Sequence, residues 1–132
     1  MTHHFGVLIP STNTTCEIEY CRLPPSLQVH IGRLGKGDGG TFSPSKDEDI
    51  DYQARLLGTA KVEVVSLAQT SASLFADDYD ATATQRMSAA AGVPAVTSAQ
   101  AIGQAVQALG MQRIALVSPY SQPVIERARD YY

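Results

Sequence analysis

The chain has 132 residues, of which 44% are hydrophobic and 17% charged, and its formal net charge at pH 7 is −3. This length allows one domain with a real core, and the apolar content is typical of a folded chain rather than a disordered one. The ten lysines and arginines are scattered. Because phosphate binding needs a concentrated basic face, we expect no nucleic-acid partner.

The compartment is indicated by the N-terminus and by the cysteines. No apolar stretch approaches the roughly 20 residues of a membrane helix, so we expect no membrane partner. Residues 1–4 lead straight into an apolar segment without the features of a secretory signal, which by default predicts a cytoplasmic location. The spacing of Cys16 and Cys21 fits neither a zinc site nor a redox pair. We therefore expect two reduced, partly buried thiols and no metal site.

Five apolar segments are typical of buried or half-buried strands. They are Phe5–Pro10, Leu27–Leu34, Val62–Ala68, Pro94–Thr97 and Ile114–Val117. In the second segment, Leu27, Val29 and Ile31 alternate and are predicted to share one face.

Helical patterns fill the intervals between these strands. Ser45 and Glu48 have the spacing of a capping box, and a helix with one apolar face is predicted to run from there to Gly58. Ser98 is predicted to cap another helix, which Gly110 would end. The apolar stripes of these two helices are Ile50, Ala54 and Leu57 in the first and Ile102, Ala105, Val106 and Leu109 in the second. Further helices are expected over Asp80–Ala91 and from Gln122 to the last residue.

Strands that alternate with helices predict an α/β fold with a parallel sheet flanked by helices. Ligands of such folds bind outside the carboxyl ends of the strands. A binding site is therefore expected just after Pro10, Leu34, Ala68 and Val117. The last helix lacks a capping glycine, and we expect the chain to be part of a longer α/β protein.

The loop after the first predicted strand is rich in hydroxyl and amide side chains. Its members are Pro10, Ser11, Thr12, Asn13, Thr14 and Thr15. With the N-terminal amides of a following helix, such groups form a cradle for a carboxylate or phosphate. The alternative is an ordinary helix N-cap, for which one such residue is enough.

A glycine-rich loop follows the second predicted strand. Gly35, Gly37 and Gly40 formally satisfy the GxGxxG pattern. That fingerprint should open a helix after a first strand, whereas here Phe42, Ser43 and Pro44 intervene. The sequence favours a surface loop or an active-site flap over a nucleotide site.

The loop after the third predicted strand contains Gln69, Thr70, Ser71, Ala72 and Ser73. Its hydroxyls and successive backbone amides suit an oxyanion hole. A helix N-cap at Ser71 or Ser73 is the alternative, and both roles are compatible. Gln69 is neither a base nor a nucleophile at neutral pH and can only orient a ligand by hydrogen bonds.

Tyr120 ends the loop after the last predicted strand, where its phenol either binds a ligand carboxylate, donates a proton, or anchors the sheet edge. The histidines are not spaced as ligands. Asp77, Asp78 and Asp80 are interpreted as a solvated turn and helix start rather than a metal site. No Ser-His-Asp set is indicated.

Three segments together resemble the aspartate/glutamate racemase superfamily, in its arylmalonate decarboxylase and maleate isomerase branch. They are GVLIPSTNTT near the start, VEVVSLAQTSASLF in the middle and GVPAVTSAQAIGQAVQALGMQRIALVSPY toward the end. The resemblance implies a cofactor-independent enzyme with two similar α/β lobes and an active site between them. It places residues 1–110 in the first lobe and residues 111–132 at the start of an incomplete second lobe.

The resemblance also implies roles for residues. Asn13 falls on a position that binds substrate carboxylate in maleate isomerases, Thr70 and Ser71 on the groups that hold a carboxylate or enediolate, and Tyr120 on a tyrosine that closes over the same anion. Gln69 departs from the pattern, because racemases and maleate isomerases have a cysteine there and decarboxylases a small residue.

The leading hypothesis is thus a decarboxylase- or isomerase-like enzyme acting on a small dicarboxylic acid through an enediolate or carbanion. Thr70, Ser71 and Tyr120 are its catalytic candidates. Its substrate-binding candidates are Pro10, Ser11, Asn13, Gln69, Thr70, Ser71 and Tyr120. A binding protein that has lost catalysis is the main alternative, and a nucleotide binder using the glycine-rich loop is a weaker one. A single lobe would expose apolar surface, so we expect a homo-oligomer.

Overall fold

The computed structural model describes residues 1–37 and 43–132. Its strands are β1 (His3–Pro10), β2 (Leu27–Leu34), β3 (Val65–Leu67) and β4 (Ala95–Thr97). Its helices are α1 (Thr15–Tyr20), α2 (Asp47–Thr59), α3 (Tyr79–Ala91), α4 (Ser98–Ala108) and α5 (Gln122–Tyr131), with a short 3₁₀ helix over Thr70–Leu74.

The strands form one parallel sheet in the order β2-β1-β3-β4. β1 pairs with β2 along its whole length, from His3 opposite Leu27 to Pro10 opposite Leu34, and β3 lies on its other side. The predicted parallel sheet with flanking helices is thereby confirmed. The chain winds outward from β1 in both directions, and the crevice at such a reversal is where α/β sheets bind ligands.

The core lies between the sheet and the pair α2 and α3. Ile50, Ala54 and Leu57, the predicted apolar face of α2, are buried. They form one cluster with residues of the sheet, of α3 and of the loop before β3, namely Leu8, Leu34, Val62, Val65, Leu67, Ala83 and Met87. The strand predicted over Val62–Ala68 is shorter than expected, because only Val65–Leu67 forms it.

Two predicted helix caps are each corrected by one residue. The N-cap of α2 is Lys46, without a side-chain cap bond, and the backbone N–H of Ser45 instead donates to the side chain of Gln69 at 3.2 Å. The N-cap of α4 is Thr97 rather than Ser98. Thr97 and Gln100 form a reciprocal capping box there, in which each side-chain oxygen accepts from the other residue's backbone N–H at 3.1 Å.

The strand predicted over Ile114–Val117 is wrong. None of the described strands pairs with this segment, and Val117 is 94% exposed. A strand requires a neighbour for its backbone hydrogen bonds, so β-branched residues without one do not form it.

The predicted apolar faces of α4 and β2 are less buried than expected. Ile102 is 44% and Leu109 68% exposed on α4, and Leu27 is exposed because β2 lies at the sheet edge. Gly110 adopts the left-handed conformation expected after a helix, with φ of 63°. No helix in the described part of the chain is long and apolar enough to cross a membrane.

Candidate active site

The loop after β1 folds back on the strand ends. The N–H of Asn13 donates to the carbonyl oxygen of Pro10 at 2.8 Å, and that of Ser11 donates to the carbonyl oxygen of Leu34 at 2.8 Å. The side-chain oxygen of Asn13 accepts from the backbone N–H of Cys16 at 3.0 Å. Asn13 thus accepts from a backbone N–H in the first turn of α1, although the N-cap itself is Thr14, which makes no side-chain cap bond. This bond uses the amide oxygen of Asn13 and leaves its amide nitrogen as a donor.

Arg33 fixes the same loop from β2. Its guanidinium donates to the carbonyl oxygen of Ser11 at 3.0 Å and forms an ion pair with Glu17 of α1. Glu17 thus partly neutralises the charge of Arg33. The main effect of Arg33 is to hold the backbone that carries Ser11 and Asn13.

The loop after β3 turns directly into the 3₁₀ helix. The N–H of Ala72 donates to the carbonyl oxygen of Gln69 at 3.0 Å, and Ser71 is only 6% exposed. The hydroxyls of Thr70 and Ser98 lie 2.8 Å apart and form a hydrogen bond. The first residue of α4 is therefore joined to the predicted anion-binding loop.

Gln69 holds another wall of the site. Its side-chain nitrogen donates to the carbonyl oxygen of Ser43 at 3.0 Å, and its side-chain oxygen accepts from the N–H of Ser45 at 3.2 Å. Both polar atoms thus bind backbone, which ties the segment 43–45 to the end of β3.

Asp80 anchors the far end of the 3₁₀ helix. It is 8% exposed, and its carboxylate accepts from the hydroxyl of Ser73 at 2.5 Å and from the hydroxyl of Tyr131 on α5. Asp77 and Asp78 are exposed, as expected of a solvated turn. Asp80 lies in the first turn of α3 as expected, but it is buried rather than solvated. The two hydroxyl donors compensate for that burial.

A cleft of about 520 Å³ opens where these loops meet. It is lined by all seven residues predicted to bind substrate: Pro10, Ser11, Asn13, Gln69, Thr70, Ser71 and Tyr120. The six residues other than Tyr120 converge because the parallel sheet brings the ends of β1 and β3 to one edge. Tyr120 reaches the cleft from the segment before α5.

Other residues of the cleft were not predicted to bind substrate. They include Cys16, Tyr20, Lys36, Ser43, Ser45 and Ser98. Ser98 had a usable signal, because it directly follows a predicted strand; it was interpreted only as a cap. The glycine-rich loop contributes Gly35 and Lys36 to the cleft, whereas Gly40 lies outside the described residues.

The described lining of the cleft has one cation, Lys36, and no carboxylate. Burial, with a smaller contribution from Glu19, raises the pKa of the Cys16 thiol, and burial also raises the pKa of the Tyr20 hydroxyl. Both groups are therefore neutral donors at pH 7. A cleft of neutral donors with one lysine is suited to an anion rather than a cation.

The histidines lie outside this cleft. His3 binds Glu63, and His4 contacts His30 at 2.9 Å, all far from the strand ends that form the site. Both cysteines are unpaired, but Cys21 is exposed rather than partly buried as expected. Among the described residues, no group of acidic, histidine or cysteine side chains could hold a metal ion.

Comparison with known proteins agrees with this geometry. A model of the arylmalonate decarboxylase family matches residues 42–132. A maleate isomerase of Geobacillus stearothermophilus is 27% identical over 99% of this chain and 59% of its own length. An arylmalonate decarboxylase of Bordetella bronchiseptica is 30% identical over 96% of this chain and 53% of its own length.

Solved structures show the same fold. A maleate isomerase of Pseudomonas putida, solved with maleate, superposes with a TM-score of 0.79 at 25% identity over 99% of this chain and 58% of that protein. An unliganded arylmalonate decarboxylase gives a TM-score of 0.78 at 29% identity over 98% of this chain and 56% of that protein. The fold is that of the aspartate/glutamate racemases.

The chain thus spans between 53% and 59% of the curated relatives that it matches. The family match covers more than half of the chain, and the cleft lies at the strand ends where the sequence predicted it. The chain belongs to the arylmalonate decarboxylase family.

Proposed function

We propose that the intact protein is a cofactor-independent decarboxylase or isomerase that acts on a small dicarboxylic acid of the malonate or maleate type. The observation that supports this most directly is the cleft itself, where hydroxyl and amide donors from the ends of β1 and β3 face one space without a carboxylate among the described lining residues. Such preorganised donors favour a group whose negative charge increases during the reaction.

The reaction proposed at this cleft develops negative charge on the carbon atom next to a carboxylate. In a decarboxylation, the bond between the α-carbon and one carboxylate breaks and carbon dioxide leaves. The electron pair stays on the α-carbon and spreads onto the remaining carboxylate as an enediolate, which Thr70, Ser71 and Tyr120 would stabilise. A proton then adds to the α-carbon. Loss of one such donor typically costs about 3–4 kcal/mol of transition-state stabilisation.

The proton donor is proposed to be a cysteine outside this sequence. Gln69 is no acid, and its side chain is bound to the backbone of Ser43 and Ser45. In this proposal, residues 1–110 form the first of two lobes and residues 111–132 begin the second. We expect the 132-residue chain alone to have little activity.

A turnover assay with malonate, aryl- or alkylmalonates and maleate tests this function. The intact protein should convert at least one of them, and Thr70→Ala should lower kcat by more than tenfold, whereas Gln85→Ala on the exposed side of α3 should not change it. Turnover by the 132-residue chain as fast as by the intact protein would contradict the proposal that the proton donor lies outside this sequence. Absence of turnover by the intact protein on all of these acids would contradict the proposed reaction.

A non-catalytic protein that binds small carboxylates is the second candidate. It is favoured by Gln69, whose side chain fixes the wall of the cleft and supplies no proton. Saturable binding of malonate by the intact protein without any turnover would support it over the enzyme.

The exposed apolar surface leads to a proposal about assembly. Leu109, Met111, Leu116 and Val117 are between 40% and 94% exposed, and exposed apolar clusters favour association. We expect the 132-residue chain to self-associate. Light scattering should give more than the mass of one chain, and a monomer at all concentrations would contradict this.

A further inference from the structure

Ser98 contacts the anion-binding loop without being needed for the helix that it begins. The N-terminus of α4 is capped by Thr97 and Gln100, each of which satisfies a backbone N–H of the other. The Ser98 hydroxyl has no part in that capping box. It lies instead in the cleft, 2.8 Å from the hydroxyl of Thr70.

The two hydroxyls have unequal roles once an anion is present. Each hydroxyl has one proton to donate and two lone pairs that accept. If Thr70 donates to Ser98, Thr70 has no proton left for a carboxylate. If Ser98 donates to Thr70, both protons are used, and the proton of Thr70 points to the anion. Hydrogen bonds in such a chain strengthen one another.

The N-terminus of α4 favours an anion near Thr70, and an anion there requires Ser98 to donate to Thr70, because only then is the proton of Thr70 free for the anion. Ser98 is the first residue of α4, which runs for 11 residues. The partial positive charge at the N-terminus of a helix stabilises negative charge nearby. An anion hydrogen-bonded to Thr70 would therefore be stabilised by the N-terminus of α4, and also by the Ser98 hydroxyl acting through Thr70.

We propose that Ser98 is a positioning residue of this site, which holds Thr70 in one rotamer and makes it a hydrogen-bond donor to a substrate carboxylate. The half of this inference that concerns the carboxylate rests on the proposed function. The half that concerns the rotamer of Thr70 does not.

The test uses the 132-residue chain with malonate as the probe, and binding is measured by calorimetry. Ser98→Ala should weaken binding about three- to tenfold, the effect of one hydrogen bond, and Ser98→Thr should restore it. Adding Ser98→Ala to Thr70→Val should have no further effect, because Ser98 acts through Thr70. Ser88→Ala, within α3, is the matched control and should bind as the original chain does.

A ligand-free measurement separates the two halves of the inference. Side-chain couplings of Thr70 measured by NMR should show one rotamer in the original chain and averaging in Ser98→Ala. If malonate does not bind but this averaging occurs, the carboxylate half of the inference fails and the positioning role stands, whereas the function proposed for the intact protein is judged by its turnover assay. A fixed Thr70 rotamer in Ser98→Ala, or additive effects of the two substitutions on binding, would overturn the inference.

Discussion

The side chain of Gln69 accepts a hydrogen bond from the backbone N–H of Ser45 at 3.2 Å and so joins the end of β3 to the segment before α2. Its nitrogen donates to the carbonyl oxygen of Ser43 at 3.0 Å. A residue expected only to orient a ligand therefore also fixes the wall of the cleft.

Gln69→Ala should loosen that wall. Two hydrogen bonds are lost, each contributing about 0.5–1.5 kcal/mol net, so the backbone N–H of Ser45 should exchange with solvent faster. Hydrogen exchange followed by NMR measures this. Gln85→Ala is the control, since Gln85 is exposed on α3. Unchanged exchange at Ser45 would show that Gln69 does not hold the segment.

Asp80→Ala should destabilise the fold. It leaves the hydroxyls of Ser73 and Tyr131 without their acceptor, at a cost of about 2–4 kcal/mol. Urea unfolding measures the change. Asp80→Asn retains one acceptor oxygen and should cost less, whereas Asp78→Ala, at an exposed residue, should cost little. Equal effects of Asp80→Ala and Asp78→Ala would contradict the anchoring role of Asp80.

Gly58→Ala and Gly103→Ala should have opposite effects on stability. A Cβ atom at Gly58 would lie 2.4 Å from the carbonyl oxygen of Ala91, where α2 and α3 touch. Relieving such a clash costs about 1–3 kcal/mol. A Cβ at Gly103 meets nothing within 4 Å, so alanine there should stabilise α4 by about 0.5–1 kcal/mol. Thermal unfolding of both variants checks the signs, and a neutral Gly58→Ala would show that the helices separate easily.

Tyr79→Phe should improve stability most in alkaline solution. Burial and the nearby Asp47 and Asp80 raise the pKa of Tyr79 to about 12, and its hydroxyl has no partner among the described residues. A tyrosine whose pKa is higher in the folded state favours folding below pH 10, its ordinary pKa, and loses that contribution as the pH rises through about 12.

The phenylalanine variant should therefore lose less of its free energy of unfolding between pH 10 and pH 12 than the original chain. At pH 7 it should be as stable or slightly more stable, because an unpaired buried hydroxyl is removed. Urea unfolding at the three pH values measures both effects. Identical pH dependence in the two proteins would contradict the burial of the Tyr79 hydroxyl.

Most of the fold and the place of the candidate site could be predicted from the sequence, because both depend on local patterns. The apolar periodicity of Ile50, Ala54 and Leu57 identifies the buried face of α2. The strand ends at Pro10 and Ala68 then place both polar loops at one edge of the sheet, since parallel strands end together.

The contacts that organise the site depend on distant parts of the chain and are not visible in those patterns. Gln69 binds residues 43–45, Thr70 binds Ser98, and Asp80 binds Tyr131. The strand prediction for the segment 114–117 is wrong for the same reason. The composition of this segment favours a strand, but a strand forms only where another strand pairs with it.

Backbone amide shifts of the 132-residue chain during titration with malonate test the central claim most directly. We predict saturable shifts at Ser11, Asn13, Thr70, Ser71 and Ser98, which line one cleft, and a higher malonate concentration at half-saturation in Thr70→Val. Saturable binding elsewhere, or no shifts at these residues at millimolar malonate, would contradict the assignment of this cleft as a carboxylate site.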